Sequence, residues 1–289
     1  MNGKHNKIGT VVEFIQKIQE IQEIVAKEKG QEQHIFYRGH SSKRYRLVPS
    51  LFRKITKKGK NKSIYSKKED ILYRELYMSE YKEFIHDKYT LDKLVRMQHY
   101  SLPTRLLDLT TNPLIALYFA CQSSTDKKES AGEVILFFIK DKYVKYYDSD
   151  TASYIANLAR LSHKEKKYIK SAKAGKEYDR IMKKLLHFIK QEKSYFEARF
   201  EIDDLKKIIC IKGIRNNVRI SSQSGVFLLF GLKAILGKNG NENIRIQRIK
   251  IRDKKKILDE LDLLNINEST VFPDIESSAR YISYKNKVK

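Results

Sequence analysis

Hydrophobic and polar positions alternate with two different periods along this chain, and each period predicts one kind of element. Apolar side chains recur at helical spacing over residues 9–29, which predicts an amphipathic helix that stops at Gly30. Short apolar or alternating runs bounded by turn residues predict strands at 34–40, 134–139, 207–212, 225–230 and 243–251. Further helical patterns cover residues 66–86, 91–100, 113–122, 253–264 and 274–284. Ser66 and Glu69 have the spacing of a capping box at the start of the first of these helices.

The order of these elements predicts the fold class. Helices come first and strands are interleaved with helices later, which is typical of an α+β fold with a mixed or antiparallel sheet core and flanking helices. We expect the five strands to lie in one sheet system. Residues 41–65 are basic and turn-rich, which indicates a loop, and the helical, Lys-rich stretch 150–200 is predicted to be an insertion on the core. The expected organisation is therefore an N-terminal helix over 1–33, one domain over 34–284 and a basic tail over 285–289.

Composition places the chain among globular proteins. No apolar run approaches the roughly 20 residues that a membrane span needs, and the N-terminal residues lack the apolar stretch of a signal peptide. Cys121 and Cys210 sit in apolar surroundings without metal-ligand spacing, which is typical of reduced core residues. We therefore expect a cytoplasmic protein that does not engage a membrane.

The charge is strongly and unevenly positive. The chain has 59 Lys and Arg against 35 Asp and Glu, a net charge of +24. Residues 53–62 hold six basic and no acidic side chains, and residues 164–193 hold eleven basic and four acidic ones. Such fields attract polyanions, so RNA or DNA is an expected partner, guided by these two segments at the border of a cleft. The alternative is a Lys-rich surface that reflects only an AT-biased genome.

The segment from Arg96 to Ala120 carries the densest candidate chemistry. Hydrogen-bonding and ionisable side chains are packed into its first part, namely Gln98, His99, Thr104, Arg105, Asp108, Thr110, Thr111 and Asn112. Pro103 disfavours helix before it, and Asn112 with Pro113 starts a new helix, so the polar run is a loop or short strand that leads to a helix N-terminus. That layout is typical of ligand binding. The alternative is a crossover whose polar groups satisfy one another.

Two further polar clusters sit beside predicted strands. The first is Tyr37-Arg38-Gly39-His40, in which Arg38 suits a phosphate or carboxylate and Gly39 would let a ligand approach the backbone. The second is the run 219–227, in which Gln223 precedes a strand that begins at Gly225. We expect Arg38, residues 98–111 and Gln223 to converge in one pocket. No metal-ligand spacing, P-loop or Gly-x-Ser-x-Gly motif is found.

Together these motifs resemble the FRG domain family, which takes its name from a Phe/Tyr-Arg-Gly motif. The resemblance runs from about residue 34 to 284. Its segments are Phe36-Tyr37-Arg38-Gly39-His40, Leu47-Val48-Pro49-Ser50-Leu51-Phe52-Arg53, Gln98-His99-Tyr100, Pro103-Thr104-Arg105-Leu106-Leu107-Asp108, Asn112-Pro113, Ala116-Leu117-Tyr118-Phe119-Ala120, Arg219-Ile220 with Gln223 and Gly225, and Phe272-Pro273-Asp274.

A more distant resemblance is to ADP-ribosyltransferases. In this chain Arg38, Leu109-Thr110-Thr111 and Gln223 follow the order of the three motifs of that family. This resemblance implies a transferase-like fold and an NAD-dependent toxin or anti-phage effector that modifies nucleic acid or protein, with an antitoxin or regulatory protein as a further partner. The resemblance also implies an NAD site and a set of candidate catalytic groups. The implied NAD-binding residues are Tyr37, Arg38, Gly39, His99, Tyr100, Arg105 and Thr110, and the implied catalytic candidates are Gln223, Asp108 and Glu276. Arg38 would hold the diphosphate or ribose, Thr110 the nicotinamide ribose, and Tyr37 or Tyr100 would stack on nicotinamide.

The chain departs from that pattern in one place. The transferases carry a catalytic Glu in the third motif, whereas Gln223 cannot act as a base, so Glu276 or Asp108 would have to substitute. Alternatives remain open for the other residues as well. Arg105 would pair with Asp108 to hold the loop, His99 would be a core histidine, Gln223 would cap strand backbone, and Glu276 would be a solvated helix residue. A nucleic-acid-binding or sensor module, or a nuclease using His99 and Asp108, are the competing functions.

Overall fold

The computed structural model describes residues 7–28, 33–57, 60–123, 131–171, 175–197, 201–213, 222–232 and 235–287. Its strands are β1 (Lys7–Ile8), β2 (Gln33–His40), β3 (Lys54–Lys57), β4 (Lys60–Ser63), β5 (Leu106–Thr110), β6 (Gly132–Lys140), β7 (Val144–Tyr146), β8 (Ile208–Lys212), β9 (Gly225–Phe230), β10 (Gly240–Asn241) and β11 (Ile244–Ile251). Its helices are α1 (Val11–Lys27), α2 (Glu69–Ser79), α3 (Thr90–His99), α4 (Pro113–Cys121), α5 (Asp150–Asn157), α6 (His163–Lys170), α7 (Lys176–Lys190), α8 (Lys254–Leu263), α9 (Glu268–Val271) and α10 (Ile275–Lys285). Short 3-10 turns cover Ser50–Phe52, Tyr81–Phe84, Asp141–Tyr143, Leu158–Arg160 and Asp204–Lys206.

One mixed sheet organises the described part of the chain. Its strand order is β1-β11-β6-β2-β5-β9-β8-β7, with β10 on β11, and β3 and β4 form a separate antiparallel pair. The pairs β1–β11 and β7–β8 are parallel and the other pairs are antiparallel. All five strands expected from the hydrophobic pattern lie in this sheet, so the prediction of a mixed sheet with flanking helices is confirmed.

The sheet consists of two well-paired halves with a narrow join. β2 pairs with β6 along its whole length from Gln33 to His40, and β5 pairs with β9 along its whole length. β2 and β5 are joined only by the pair Tyr37–Thr110. The strands therefore diverge on either side of that single pair, and this places a gap at the middle of the sheet.

Both faces of the sheet are buried, which explains the continuous apolar strands. One face carries a cluster that runs through both halves and includes Phe36, Ile135, Leu107 and Leu228. On the opposite face, α1, α4 and α8 cover the half around β6, and α3, α5, α6 and α7 cover the half around β9. The Lys-rich stretch 150–200 thus contributes helices α5–α7 to one of these layers.

Several local expectations were wrong in detail. The helix expected over 66–86 starts at Glu69 and ends at Ser79, and no capping box forms, because Ser66 Oγ contacts Ser63 Oγ while the Glu69 side chain points into the core. The expected loop 41–65 contains the β3–β4 hairpin. By contrast, the helix expected over 274–284 is confirmed as α10, and the separate short helix α9 precedes it.

A buried ion triad holds this side of the fold together. Arg105 donates from Nε and Nη2 to the two carboxylate oxygens of Glu69 at 2.7 and 2.6 Å, and Lys166 Nζ donates to Glu69 Oε2 at 2.6 Å. Burial alone would raise the pKa of Glu69, but Arg105 and Lys166 together lower it to about 2. The triad therefore ties α2, the start of β5 and α6 to one another, and the alternative pairing of Arg105 with Asp108 does not form.

Candidate functional site

A cavity among the described residues lies at the join between the two halves of the sheet. Its volume is about 180 Å³. The lining residues come from β2, α3, β5, α4, the segment before β9 and β9 itself, and they are Tyr37, Arg38, Gly39, Val95, Gln98, His99, Asp108, Leu109, Thr110, Ile115, Phe119, Gln223, Gly225 and Phe227. The structure thus brings Arg38, both ends of the segment 98–110 and Gln223 together, although they are far apart in sequence.

The local sequence explains why a cavity forms here. Pro113 starts α4 and cannot continue strand β5, while the Asn112 side chain accepts a hydrogen bond from Leu114 N at 2.9 Å and caps that helix. At the other wall, α3 ends at His99, and Ser101 follows in the left-handed region with φ 66°. The two helices therefore cover different halves of the sheet and leave the diverging edges of β2 and β5 open between them.

Gly39 is required for helix packing rather than for ligand approach. A Cβ at this position would lie 2.0 Å from Ala116 O and 2.5 Å from Ala120 N, both backbone atoms of α4. The space above Gly39 is thus filled by the helix, although the residue still contributes to the cavity lining. This corrects the expectation that Gly39 lets a ligand reach the backbone.

Arg38 extends from β2 across the gap to β5. Its Nη1 donates to Asp108 O at 2.6 Å and lies 3.7 Å from Asp108 Oδ2, and its Nε donates to His40 Nε2 at 3.1 Å. Burial lowers the pKa of Arg38, the Asp108 carboxylate opposes this shift, and Arg53 adds to it. The guanidinium is therefore a fixed and partly desolvated cation at the cavity wall.

His40 and Glu133 support the guanidinium from behind. Both are buried, and His40 Nδ1 lies 3.5 Å from Glu133 Oε1, which also contacts Arg248 Nη1. Burial lowers the pKa of His40, so the neutral imidazole is favoured. A neutral His40 ring can accept the hydrogen bond from Arg38 at Nε2 while its Nδ1–H faces the Glu133 carboxylate.

Asp108 presents a carboxylate at the cavity, and Gln98 orients it. Gln98 Nε2 donates to Asp108 Oδ1 in a short contact, and Thr104 Oγ1 donates to Gln98 Oε1 in another. Thr104 Oγ1 also accepts from Leu106 N at 3.2 Å, which fixes the hydroxyl. The carboxylate remains 57% exposed, so it is held in place but still accessible to a ligand. It is also the only carboxylate among the described residues of the cavity lining.

Thr110 and Gln223 close the cavity on the side of β9. Thr110 Oγ1 donates to Gln223 O at 2.6 Å and accepts from Asn112 N at 3.0 Å. The Gln223 side chain donates to Val271 O at 3.1 Å, which connects this wall to α9. Arg219, which belongs to the same motif, lies outside the described residues.

The expected aromatic residues occupy different environments. Tyr37 is only 2% exposed and packs under α1, and burial raises the pKa of its phenol, against a hydrogen bond with Gln22. His99 lines the cavity, and its ring meets that of Tyr100 edge to face at 4.9 Å. Tyr100 is 58% exposed and stands next to the cavity rather than in its lining.

Two expected site residues lie elsewhere. Arg105 is 1% exposed, and its Nη1 donates to Phe230 O at 2.7 Å in addition to the two bonds to Glu69. Its side chain therefore lies in the core and outside the lining of this cavity. Glu276 lies in the first turn of α10, is 84% exposed and pairs with Arg280 at 2.6 Å. Glu276 is therefore the solvated helix residue of the alternative interpretation, because its carboxylate is taken up by a neighbour on its own helix.

The two basic segments differ in their relation to the cavity. Arg53 is close enough to lower the pKa of Arg38, so the first segment begins near the cavity wall. By contrast, no described residue of 164–193 lines this cavity, and the apolar residues of α6 and α7 pack in the hydrophobic cluster over the half around β9. The expectation that both segments border one cleft is corrected in this respect.

Sequence reasoning overlooked the role of Gln98 and the apolar wall. The sequence predicts Gln98 in the pocket but not its hydrogen bond to Asp108, which forms because the end of α3 places Gln98 and His99 in the cavity lining. Ile115 and Phe119 of α4 also line the cavity. Their apolar character made them indistinguishable from core residues in the sequence.

Neither a metal-binding cluster nor a membrane-spanning helix is found among the described residues. They contain no group of three or more His, Cys, Asp and Glu side chains arranged to hold a metal ion. The helices found in these residues are too short or too polar to cross a bilayer. Cys121 and Cys210 are both buried and unpaired, and burial raises the pKa of each thiol.

One comparison with known proteins finds a similarity, and it covers part of the chain. Residues 33–129 match the model of the FRG domain. No curated protein and no solved structure matches the chain. The matched range includes Arg38, Gln98 and Asp108, together with the strands and helices that position them. This part of the chain is therefore similar to the FRG domain, and Arg38, Gln98 and Asp108 lie within it, whereas Gln223 lies outside the matched range.

Proposed function

We propose that this chain is an NAD-dependent ADP-ribosyltransferase that modifies nucleic acid or protein and acts as a toxin or anti-phage effector. The observation that carries the proposal is the pairing of a fixed cation with an accessible carboxylate at the gap of the sheet. Arg38 Nη1 lies 3.7 Å from Asp108 Oδ2, and both side chains line one cavity. The order of the supporting motifs, Arg38, Thr110 and Gln223, is that of the transferases.

The cavity fits one end of the dinucleotide. Ligand pockets usually measure about 300–1,000 Å³, so a cavity of about 180 Å³ would take the nicotinamide and its ribose while the rest of NAD extends outside. Ile115, Phe119 and Phe227 supply an apolar wall for an aromatic ring. Arg38 supplies the fixed charge for the diphosphate.

The side chains present suggest a division of roles. When bound, NAD supplies an ADP-ribosyl group through the bond between ribose and nicotinamide, and positive charge develops on the ribose as that bond weakens. The Asp108 carboxylate would stabilise this charge, because a fixed anion in a partly desolvated site interacts strongly with it. Gln98 would keep the carboxylate oriented. Gln223 would position the ribose or the acceptor by hydrogen bonds, since an amide cannot take up a proton.

The acceptor is proposed to be a polyanion because the cavity wall is bordered by basic groups. Arg53 lies close to Arg38 and opens the segment 53–62, which continues into the β3–β4 hairpin. Nucleic acid approaching this wall would meet cations first, and its affinity would fall with salt through counterion release. A protein acceptor with an acidic surface would be attracted in the same way.

The experiment uses purified protein with labelled NAD and three candidate acceptors, RNA, DNA and a protein extract. Mass spectrometry follows the addition of ADP-ribose to each acceptor, and Arg38→Gln is the inactive comparison. Transfer to at least one acceptor by the wild type, reduced by at least about 100-fold in Arg38→Gln, is expected. Equal incorporation by both proteins would refute the assignment of the site.

The second candidate is a sensor module that binds NAD or nucleic acid without turnover. It is favoured by the contacts of Asp108, because a carboxylate engaged by both Gln98 and Arg38 can also serve to hold β5 to β2. Thermal unfolding separates the two candidates. Stabilisation by NAD without release of nicotinamide would favour the sensor, and stabilisation with release favours the enzyme.

A further inference from the structure

A second cavity of about 250 Å³ lies among the helices that cover the half of the sheet around β9. It is bounded by α2, the start of α3, the 3-10 turn Leu158–Arg160 and the end of α7, and its lining shares no residue with that of the first cavity. α3 separates the two, because Lys93 lines the second cavity while Gln98 lines the first.

The second cavity is lined by four cations, of which Arg74 pairs with Asp70, whereas Lys88, Lys93 and Arg160 form no direct ion pair among the described residues. Arg160 donates from Nη1 to Asn157 Oδ1 and Phe188 O and from Nη2 to Gln191 Oε1, all of which are neutral acceptors. Lys93 lies 5.5 Å above the Tyr77 ring. Among the described residues, neither of these cations, nor Lys88 at the cavity wall, forms an ion pair with a carboxylate.

Both oxygens of the Glu192 carboxylate, which lines this cavity, already accept hydrogen bonds. Glu192 Oε2 accepts from Thr90 N at 2.7 Å and Glu192 Oε1 accepts from Asn157 Nδ2 at 2.9 Å, so both oxygens hold neighbouring helices. Burial raises the pKa of Glu192 and lowers the pKa of Lys93 and of Arg160, although the nearby Glu192 carboxylate opposes the shift of both cations. A bound anion would relieve the cost of keeping the two cations away from water.

We propose that this cavity is a second ligand site, which binds a phosphate group through Lys93, Arg160 and Lys88. The chemistry favours phosphate over a carboxylate ligand because these three cations line one cavity and phosphate offers several strong acceptor oxygens. The rings of Tyr77 and Phe188 are already faced by Lys93 and Arg160, the latter at 4.0 Å, so they orient the cations rather than stack on a ligand. The phosphate would belong to a small free ligand or to the end of a nucleic acid.

Equilibrium binding tests the site directly and needs no NAD. Inorganic pyrophosphate and RNA oligonucleotides with and without a 5′-phosphate are titrated against the full chain by calorimetry. The variants are Lys93→Gln and Lys88→Gln. Lys255→Gln is the matched control, because it removes the same charge from an exposed position on α8, over the other half of the sheet.

We expect a phosphate ligand to bind the wild type and Lys255→Gln equally, and to bind Lys93→Gln at least about tenfold more weakly. In an Arg38→Gln background, Lys93→Gln should cause the same loss of binding, which distinguishes this site from the first cavity. Pyrophosphate binding indicates a small ligand, whereas a requirement for the 5′-phosphorylated RNA indicates a nucleic acid end. Absence of binding by all three probes, or equal loss in Lys93→Gln and Lys255→Gln, overturns the proposal.

Discussion

Arg38 Nη1 donates to the carbonyl oxygen of Asp108 at 2.6 Å, and this bond joins two strands whose backbones pair only once. Beyond the pair Tyr37–Thr110 the strands separate, so a side chain from β2 takes the place of ladder hydrogen bonds to β5. The same guanidinium faces the Asp108 carboxylate in the cavity. Arg38 therefore links the two strands across the gap and also places a positive charge at the cavity wall.

Replacing Arg38 by Lys tests this double role. Lys keeps the charge but cannot reach His40 and Asp108 O at once, because it lacks the planar fork of Arg. We expect the free energy of unfolding to fall by about 1–3 kcal/mol in urea titrations. The control is Arg280→Lys, whose guanidinium is 51% exposed and bonds only to neighbours on α9 and α10. If both variants lose the same stability, Arg38 does not bridge the strands.

Gly39→Ala tests the packing of α4 on β2. The added methyl would collide with Ala116 O and Ala120 N, and backbone atoms cannot rotate away, so we expect a loss of about 3 kcal/mol or more. At Gly213 a Cβ would meet its nearest atom, Phe227 Cε2, at 3.6 Å, an ordinary contact. Gly213→Ala should leave the melting temperature within a few degrees of wild type. Similar melting temperatures for the two variants would contradict the packing argument.

Glu69→Gln tests the buried triad. The substitution keeps the shape but leaves Arg105 and Lys166 without a counter-charge, which should cost about 3–5 kcal/mol of stability. Adding Lys166→Met should recover part of the loss, because it removes one uncompensated cation. Glu177→Gln on the exposed face of α7 is the control and should leave the urea midpoint nearly unchanged. A Glu69→Gln protein as stable as this control would show that the triad is dispensable.

The buried His40 makes stability depend on pH in a defined direction. Its pKa is lowered in the fold by burial, so between that value and the unfolded value of about 6.5 the unfolded chain binds the additional proton. The contribution of neutral His40 is thus complete above pH ~6.5 and declines as the pH falls below it. The difference in unfolding free energy between wild type and His40→Gln should shrink from about pH 7 to pH 5. Parallel pH profiles of the two proteins would contradict this.

The strands that sequence patterns located best are those buried on both faces. Residues 134–139 and 225–230 are continuous apolar runs, and they form β6 and β9. β5 could not be assigned with the same clarity because Asp108 and Thr110 interrupt its apolar residues, and these are the positions that face the cavity. The polar residues that obscured the strand thus mark its functional side.

Long-range partners were beyond the reach of sequence spacing. Arg105 and Asp108 are three residues apart, yet they lie on a strand with the guanidinium in the core and the carboxylate at the cavity, and the partner of Arg105 is 36 residues away. Glu69 likewise has the sequence spacing of a capping-box residue, but its partners in the structure, Arg105 and Lys166, are distant in sequence. By contrast, the sequence predicts that Arg38 and Gln223 share one pocket. Each residue belongs to a polar cluster beside a strand, and such a cluster needs hydrogen-bonding partners from elsewhere in the chain.

The central claim, that Asp108 is a catalytic carboxylate in an NAD site, is tested most directly by the rate of nicotinamide release. Asp108→Asn keeps an oxygen for Gln98 and removes the charge, so its fold should be preserved, as checked by its melting temperature. Glu276→Gln removes a carboxylate that the structure places on solvated α10 and serves as the matched control. We predict that wild type and Glu276→Gln release nicotinamide at equal rates, and Asp108→Asn at least about 100-fold more slowly. Release by Asp108→Asn at the wild-type rate, or loss of release in Glu276→Gln alone, would contradict the account.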